Sequence, residues 1–333
     1  MEKIQRRISS ENRTKVERIN YVHVYITKHC NLSCRHCYTD SSPHQNFCLP
    51  PEFWLPVFKQ FSDHRVKTVH IEGGEPLLYP NLEEIIAFIA GSRIKELLLV
   101  SNGILATRER LASLQRAGLR KIAISLDSLD EGIHKELRGP SFSRALAAIS
   151  DAVSLGLYTR VSTVITKKNI LQIGAFIDYL TRLEVNAINL DWFNQAGRGK
   201  TIFKEYQVTE RDTDLLDRFE RDIDLFLKRR RDSRTSISID LPHWYERRNS
   251  FLTNDAVRTH HLDCDGLVKQ LSVDERGNVY PCFIYSGGPE SLGNFAQTNL
   301  DTILAGRDTH LPVSCPIGVS KHIFFQIGNG HSI

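Results

Sequence analysis

Six short apolar runs, interleaved with amphipathic stretches, restrict the fold of this chain more than any other feature. They are YVHVYIT from Tyr21, VKTVHIE from Val66, IKELLLVS from Ile94, LRKIAISLD from Leu119, YTRVSTVIT from Tyr158 and VNAINLDW from Val185. Most are rich in Val and Ile and close on Gly, Asn or Asp, as buried parallel strands do. Helix punctuation fills the gaps between them. Asn81 with Glu84 three residues on reads as a capping pair, after which Leu82, Ile85, Ile86 and Ile89 form one apolar face. Thr107 is placed to cap a helix ending before Gly118, and Ser143 one ending before Gly156. Six strand–helix units in series predict a parallel sheet with right-handed crossovers. With its helices on one side, such a sheet curves into a partial (β/α)6 TIM-like barrel. Periodicity alone leaves a doubly wound α/β sheet open.

The pattern changes between Thr201 and Thr235 to a long polar helix, with Leu215, Leu216, Phe219, Ile223, Phe226 and Leu227 along one side. It reads as a linker helix packed on the barrel. The run KRRRDSR after Leu227 suits a solvated helix end, where cations favour the dipole, better than a patch for an acidic partner. The tail from His261 is short and loop-rich, and LSVDERGNVYPCF in it reads as a β-hairpin turning at Asp274–Asn278. The expected division is an N-terminal extension over 1–20, a barrel over 21–200, a helical linker over 201–260 and a small hairpin–helix domain over 261–333.

A chain of 333 residues buries a large core, and a net charge of +4 gives no reason to propose nucleic acid or membrane as a partner. The opening MEKIQRRISSENRTKVERIN lacks the apolar stretch of a secretory signal, and nowhere is there an apolar run of the roughly 18 residues that span a bilayer. A soluble, cytoplasmic protein is expected. Its seven cysteines are then better read as metal ligands than as disulfides.

Three of them, Cys30, Cys34 and Cys37, stand in CNLSCRHC just past the first strand. Thiolates so spaced in one tight loop can ligate three irons of a cubane cluster, and a fourth iron is left without a protein ligand. The alternative is a zinc site, which wants four ligands and would draw on His29 or His36.

With C-x3-C-x2-C after the first strand of a repeated β/α chain, the sequence resembles the radical S-adenosylmethionine (SAM) superfamily. Other stations follow in order. EGGEP, Glu72 to Pro76, is similar to the GGEP motif that contacts the SAM amino group, so Gly73, Gly74, Glu75 and Pro76 become candidate SAM residues. Glycines admit close backbone approach, and a carboxylate suits an ammonium. Ser101-Asn102-Gly103 resembles the step beside SAM, Ser125-Leu126-Asp127 the ribose site, and Arg138-Gly139 the downstream element. His36 occupies a position usually aromatic, near adenine. Gly197-Arg198-Gly199 resembles a recurrent segment with no assigned role. The resemblance implies that SAM chelates the open iron of a 4Fe–4S cluster. Reduced by a flavodoxin- or ferredoxin-type partner, the cluster cleaves SAM to a 5′-deoxyadenosyl radical that removes a substrate hydrogen atom.

Cys264, Cys282 and Cys315 form a second set, with four residues between Gly277 and Cys282. This resembles the SPASM/twitch extension of radical SAM enzymes and implies an auxiliary iron–sulfur cluster. Cys315 lacks the usual following cysteine, so His310 or His322 is a candidate fourth ligand, or one iron stays open for substrate. Buried free thiols or zinc are the plain alternatives. Cys48 lies outside both sets and reads as an ordinary buried thiol, with a hydrogen-atom donor as the sharper reading.

The expected function is tailoring of a small metabolite, sugar-, nucleoside- or cofactor-like, by dehydrogenation, epimerisation or decarboxylation. With the first strand opening at Tyr21, no fused peptide-binding domain is expected, which favours a small molecule over the alternative, a maturase of a ribosomally made peptide acting by crosslinking or epimerisation. A zinc or iron–sulfur binding or redox-sensing protein is the non-enzyme alternative. Trp192, Asn194, Gln195, Trp244 and Tyr245 are candidates for the substrate mouth or for core packing.

Overall fold

A computed structural model describes residues 19–229, 234–242, 244–245, 260–263, 270–282, 291–306 and 321–324. All six expected strands form: β1 (Tyr21–Thr27), β2 (Thr68–Gly73), β3 (Glu96–Ser101), β4 (Lys121–Ser125), β5 (Tyr158–Ile165) and β6 (Ala187–Trp192). A seventh, β7 (Ser236–Asp240), pairs parallel with β6. Only the alternation of Ile237 and Ile239 marks it in the sequence, and the polar helix before it masks that signal.

Between the strands lie α1 (Pro51–Asp63), α2 (Leu82–Ala90), α3 (Arg108–Ala117), α4 (Glu131–Arg138), α5 (Phe142–Ser154) and α6 (Ile173–Arg182). The short α7 (Phe203–Tyr206) and the long α8 (Thr213–Arg229) follow β6. β1 to β7 are neighbours in strict chain order, all parallel. A doubly wound sheet would reverse that order at a switch point, so the ambiguity resolves to the partial barrel. The helices also touch in sequence, α1 on α2, α2 on α3, α3 on α5 and α6 on α8, which places them on one side.

Strand alternation then sorts the residues. Val22, Val24 and Ile26 of β1, Val69 and Ile71 of β2, and Ile188 and Leu190 of β6 join the core beneath the helices. Their neighbours Tyr21, His23, Tyr25, His70, Glu72 and Asp191 take the opposite, inner face. α8 buries Leu216, Phe219, Ile223 and Phe226 as expected of a helix packed on the barrel.

Helix ends were partly legible. Thr107 Oγ1 accepts from Arg110 N, and Gly118 ends α3 in the left-handed region, both as expected. α2 starts at Leu82, but Asn81 is itself left-handed (φ 57°) and its side chain makes no cap bond. Ser143 lies inside α5, whose cap position is Ser141. α4, unforeseen, is capped by Asp130 accepting from Ile133 N at 2.9 Å.

The tail adds β8 (His260–Asp263), β9 (Gln270–Val273), β10 (Asn278–Tyr280), β11 (Gly293–Asn294), α9 (Leu300–Ala305) and β12 (Lys321–Phe324). β9 and β10 form the expected antiparallel hairpin. Asp274 shapes its turn by accepting from Arg276 N and Asn278 N, both at 2.9 Å. β9 also pairs parallel with β1, so the hairpin continues the barrel sheet beyond its first strand. At the other edge β12 lies between β7 and β8.

Candidate functional site

β1 runs directly into the cysteine loop. Thr27 Oγ1 accepts from His29 N at 3.1 Å and donates to Phe47 O at 3.3 Å, fastening both ends of the loop to the strand. Inside it, Leu32 N points at Cys30 Sγ and Ser41 N at Cys37 Sγ, each at 3.4 Å, while Cys34 Sγ donates to Arg138 O at 3.6 Å. Burial pushes the Cys30 thiol up to about 12 and Cys34 up to about 11, and neighbouring cysteines add to both. Such thiols give up their protons at neutral pH only to a metal.

The EGGEP segment is tucked under the first turn of this loop. Gly74 N donates to Thr27 O and Glu75 N to His29 O, each at 2.8 Å. A Cβ at Gly73 (φ 141°) would lie 2.2 Å from Thr27 O, and one at Gly74 2.2 Å from His29 O. Glu75 is fully buried and accepts from Leu77 N, Asn102 N and Ser101 Oγ at 2.8–3.0 Å. Burial pushes its carboxyl up to about 7 against those three bonds. Pro76 opens the short 3-10 turn that follows. Asn102 Nδ2 donates to Asn31 Oδ1 at 2.7 Å and reaches Cys30 Sγ at 3.8 Å, joining this carboxylate pocket to the cysteines.

On the far side of the loop stands Asp127, buried and paired with Arg138 Nε at 2.6 Å. It also accepts from Val164 N at 2.9 Å, and His36 Nε2 lies 3.4 Å away. Burial pushes the Asp127 carboxyl up, but Arg138 and His36 outweigh it and hold the group below its ordinary range. Burial lowers His36 to about 4, so its ring is neutral at pH 7, and its Nδ1 is buried with no hydrogen-bond partner among the described residues. Ser125, two residues before Asp127, is buried at the end of β4 beside Ser162.

A cavity of about 300 Å³ separates the cysteine loop from the hairpin turn. Tyr25, Tyr38, Gly73, Asp274, Arg276 and Tyr280 help to line it. Cys282 is buried at the end of the hairpin, its carbonyl accepting from Ser272 Oγ. Burial and then Glu72 raise the Tyr25 phenol, and Cys282 adds a smaller push in the same direction. Cys264, Cys315 and His310 fall outside the described residues, and of His322 only the backbone, paired with Leu262, is described. Cys48 packs partly buried against the core and does not line the cavity.

Of the two readings of the aromatic candidates, substrate mouth or core packing, the structure has the second. Trp192 is buried against Phe219, Trp244 and Tyr245, and Tyr245 OH donates to Glu220 at 2.8 Å, so these rings pack the core under α8. Asn194 is half-buried and Gln195 exposed.

Sequence reading gave Arg198 no role, and the structure does. Its backbone N–H donates to Cys37 O, Nε to Cys34 O at 2.8 Å and Nη2 to Ser41 O at 2.7 Å, while Nη1 pairs with Asp40 at 2.9 Å. One side chain thus braces the cysteine loop from the end of β6. Gly197 permits it, since a Cβ there would lie 2.3 Å from Tyr38 O. Spacing cannot reveal such a contact, because more than 150 residues separate the partners.

The thiol triad, the buried carboxylate pocket and the Asp127–Arg138 pair therefore surround one loop at the ends of β1 to β4. Residues 24–180, which hold all three, match the family model "Radical SAM superfamily". Residues 24–180 form a radical SAM domain. AlbA of Bacillus subtilis (strain 168), an antilisterial bacteriocin subtilosin biosynthesis protein, is 27% identical over 283 residues, covering 84% of this chain and 58% of that protein. A probable GTP 3′,8-cyclase of Sulfurisphaera tokodaii is 31% identical over 195 residues, covering 58% of this chain and 62% of that one. The chain thus spans about three fifths of the length of these curated relatives. Among solved structures, Streptococcus suis SuiB bound to precursor peptide SuiA superposes with a TM-score of 0.73 at 19% identity, covering 90% of this chain and 66% of that one, which shows a shared fold.

Radical SAM proteins use a 4Fe–4S cluster and SAM, and the residues present suit both. Cys30 is buried and Cys34 and Cys37 are half-buried, backbone N–H groups meet the sulfurs of Cys30 and Cys37, Glu75 offers a carboxylate, and His36 Nδ1 has no hydrogen-bond partner among the described residues. No helix among the described residues is long and apolar enough to cross a membrane.

Proposed function

We propose that this chain is a radical SAM enzyme that modifies a peptide, in preference to the small-metabolite reading. The observation that supports it is the reach of the AlbA match. Its 283 residues are far more than the 157 of the 24–180 domain, whereas the cyclase match spans 195. AlbA serves the biosynthesis of a bacteriocin, and the fold is also that of SuiB seen with its precursor peptide.

Cys30, Cys34 and Cys37 would hold the cluster, and Cys282 with Cys264 and Cys315 an auxiliary one. When bound, cluster and SAM supply a 5′-deoxyadenosyl radical that removes a substrate hydrogen atom. The protein's part is placement. Glu75, with Ser101 and Asn102, would receive the SAM amino group, and Asp127, fixed by Arg138, the ribose. His36, neutral and buried, would meet the adenine. Gly73 and Gly74 bring the backbone in without a side chain. Substrate would enter the cavity between loop and hairpin, where water is displaced and Tyr25, Tyr38 and Tyr280 offer hydroxyls. A flavodoxin- or ferredoxin-type reductant and the reducing cytoplasm fit this chemistry.

SAM affinity is expected to rise with pH up to about 7, by at most about tenfold per unit, and to level off above it. Glu75 keeps its proton up to about pH 7 in the folded chain, above its ordinary value, so between those two values its burial costs stability as pH rises. An ammonium ligand favours the ionised form and gains over the same window. Equilibrium dialysis of SAM against pH checks this. A flat wild-type profile, or one that Glu75→Gln leaves unchanged, contradicts it.

Arg198→Gln and Arg198→Lys separate charge from shape in the loop brace. Lys keeps the charge but not the fork that reaches two carbonyls, so both variants are expected to lose most of their iron on gel filtration. Iron retained by Arg198→Lys alone would assign the effect to charge.

The function itself is tested by co-producing the chain with short peptides encoded beside it. A peptide lighter by one pair of hydrogen atoms, or one taking up deuterium at an α-carbon, supports peptide modification. Unchanged peptides alongside turnover of a sugar or nucleoside would restore the small-metabolite reading.

A further inference from the structure

Three side chains on the inner face have no part in the site above. His23 of β1 and His70 of β2 are register partners, and Glu72 stands two residues beyond His70 on the same face. Residues so placed on paired strands bring their side chains together. His23 Nδ1 lies 2.7 Å and His70 Nδ1 3.3 Å from one oxygen, Glu72 Oε1. One ligand atom from each residue lies within 4.8 Å of the other two. His70 and Glu72 are buried and His23 half-buried. The second carboxylate oxygen, Glu72 Oε2, accepts from Tyr38 OH at 2.8 Å, which turns Oε1 alone toward the imidazoles.

Two imidazoles and one carboxylate oxygen are the donor set of three-ligand zinc sites that keep a fourth position open. A hydroxyl on the distal carboxylate oxygen is the outer contact that orients such a ligand. An ion with bonds of about 2.1 Å holds its ligands roughly 3.4 Å apart, within the range of spacings here. The residues come from neither cysteine set, and nitrogen–oxygen donors select ions that a thiolate site does not.

We propose that His23, His70 and Glu72 bind a divalent first-row transition ion, zinc in the first instance, with an open coordination position. Gly73 follows Glu72 and Tyr38 is bonded to it, and both line the cavity. The ion therefore sits directly beneath the proposed substrate space, where its open position receives water or a substrate donor atom. The proposal stands apart from the radical chemistry, since the site needs neither cluster nor SAM.

The full chain, with its iron–sulfur centres reconstituted, is dialysed against zinc under anaerobic conditions. Zinc per chain is counted, and its X-ray absorption edge recorded. One zinc in a nitrogen–oxygen shell with imidazole scattering and no sulfur is expected. Glu72→Gln and His23→Gln should each weaken binding more than roughly tenfold, with circular dichroism confirming that they fold. Should a variant fail to fold, the wild-type spectrum still decides. No bound zinc, zinc held through sulfur, or full binding by both folded variants overturns the site.

Discussion

Alanine at Gly74 is expected to dismantle the cysteine loop and to lower stability by about 3 kcal/mol. The added Cβ would stand 2.2 Å from His29 O, 2.6 Å from His29 C and 2.8 Å from Lys28 O. These are backbone atoms, so no rotamer change relieves the overlap. Either β2 or the start of the loop must move, and Glu75 N would lose its 2.8 Å bond to His29 O. Because His29 precedes Cys30, the displacement reaches the first thiol at once. Urea midpoints and iron per reconstituted chain measure the two effects together. A Gly74→Ala protein with the wild-type midpoint and iron content would show that the loop is not seated as described.

Asp127→Asn is expected to cost about 3–5 kcal/mol, because the substitution leaves the Arg138 guanidinium buried without its counter-charge. The Asp127 side chain is fully buried and that of Arg138 nearly so, so solvent screens the pair little. Size is unchanged, and Val164 N can still donate to the amide oxygen, so the loss reports charge and not packing. Removing both charges with Asp127→Asn/Arg138→Met should cost less than the two single losses added together. The folded carboxyl is held below its ordinary range, so the pair contributes fully above about pH 4 and is lost as pH falls further. SAM binding should fall with Asp127→Asn as well. Denaturant midpoints for the four proteins of the cycle, with SAM affinity for each folded one, test both. Additive losses would mean that Asp127 and Arg138 are not coupled.

Both predictions concern positions that the sequence marked, which reflects what a sequence can carry. The helix-facing side of every strand is apolar, so β1 to β6 stand out through their Val, Ile and Leu even where the inner face carries polar residues. The cysteine triad and EGGEP are read equally directly, because tight loops keep their ligands close in the chain. β7 was missed for a physical reason: SISID follows a long polar helix and is too short to announce itself. The edge pairing of β9 with β1 was invisible for another, since hairpin signals say nothing of which strand the hairpin joins.

Side-chain roles split along the same line. Asn102 was flagged as a neighbour of SAM, yet its bond to Asn31 in the cysteine loop came only with the fold. Trp192 reads the same in a mouth as in a core, and only its packing on Phe219 and Tyr245 decides. Arg198, His23 and Glu72 act across strands or across the whole barrel. No spacing rule could have joined them to their partners.

The central claim is that the triad holds a cluster at which SAM is cleaved. Its most direct test is to reconstitute the chain anaerobically with iron and sulfide, add SAM and dithionite, and assay 5′-deoxyadenosine by mass spectrometry, with Cys34→Ala alongside. The expected result is 5′-deoxyadenosine from the wild type and none from Cys34→Ala. No product from an iron-loaded wild type, or product undiminished in Cys34→Ala, would contradict the account.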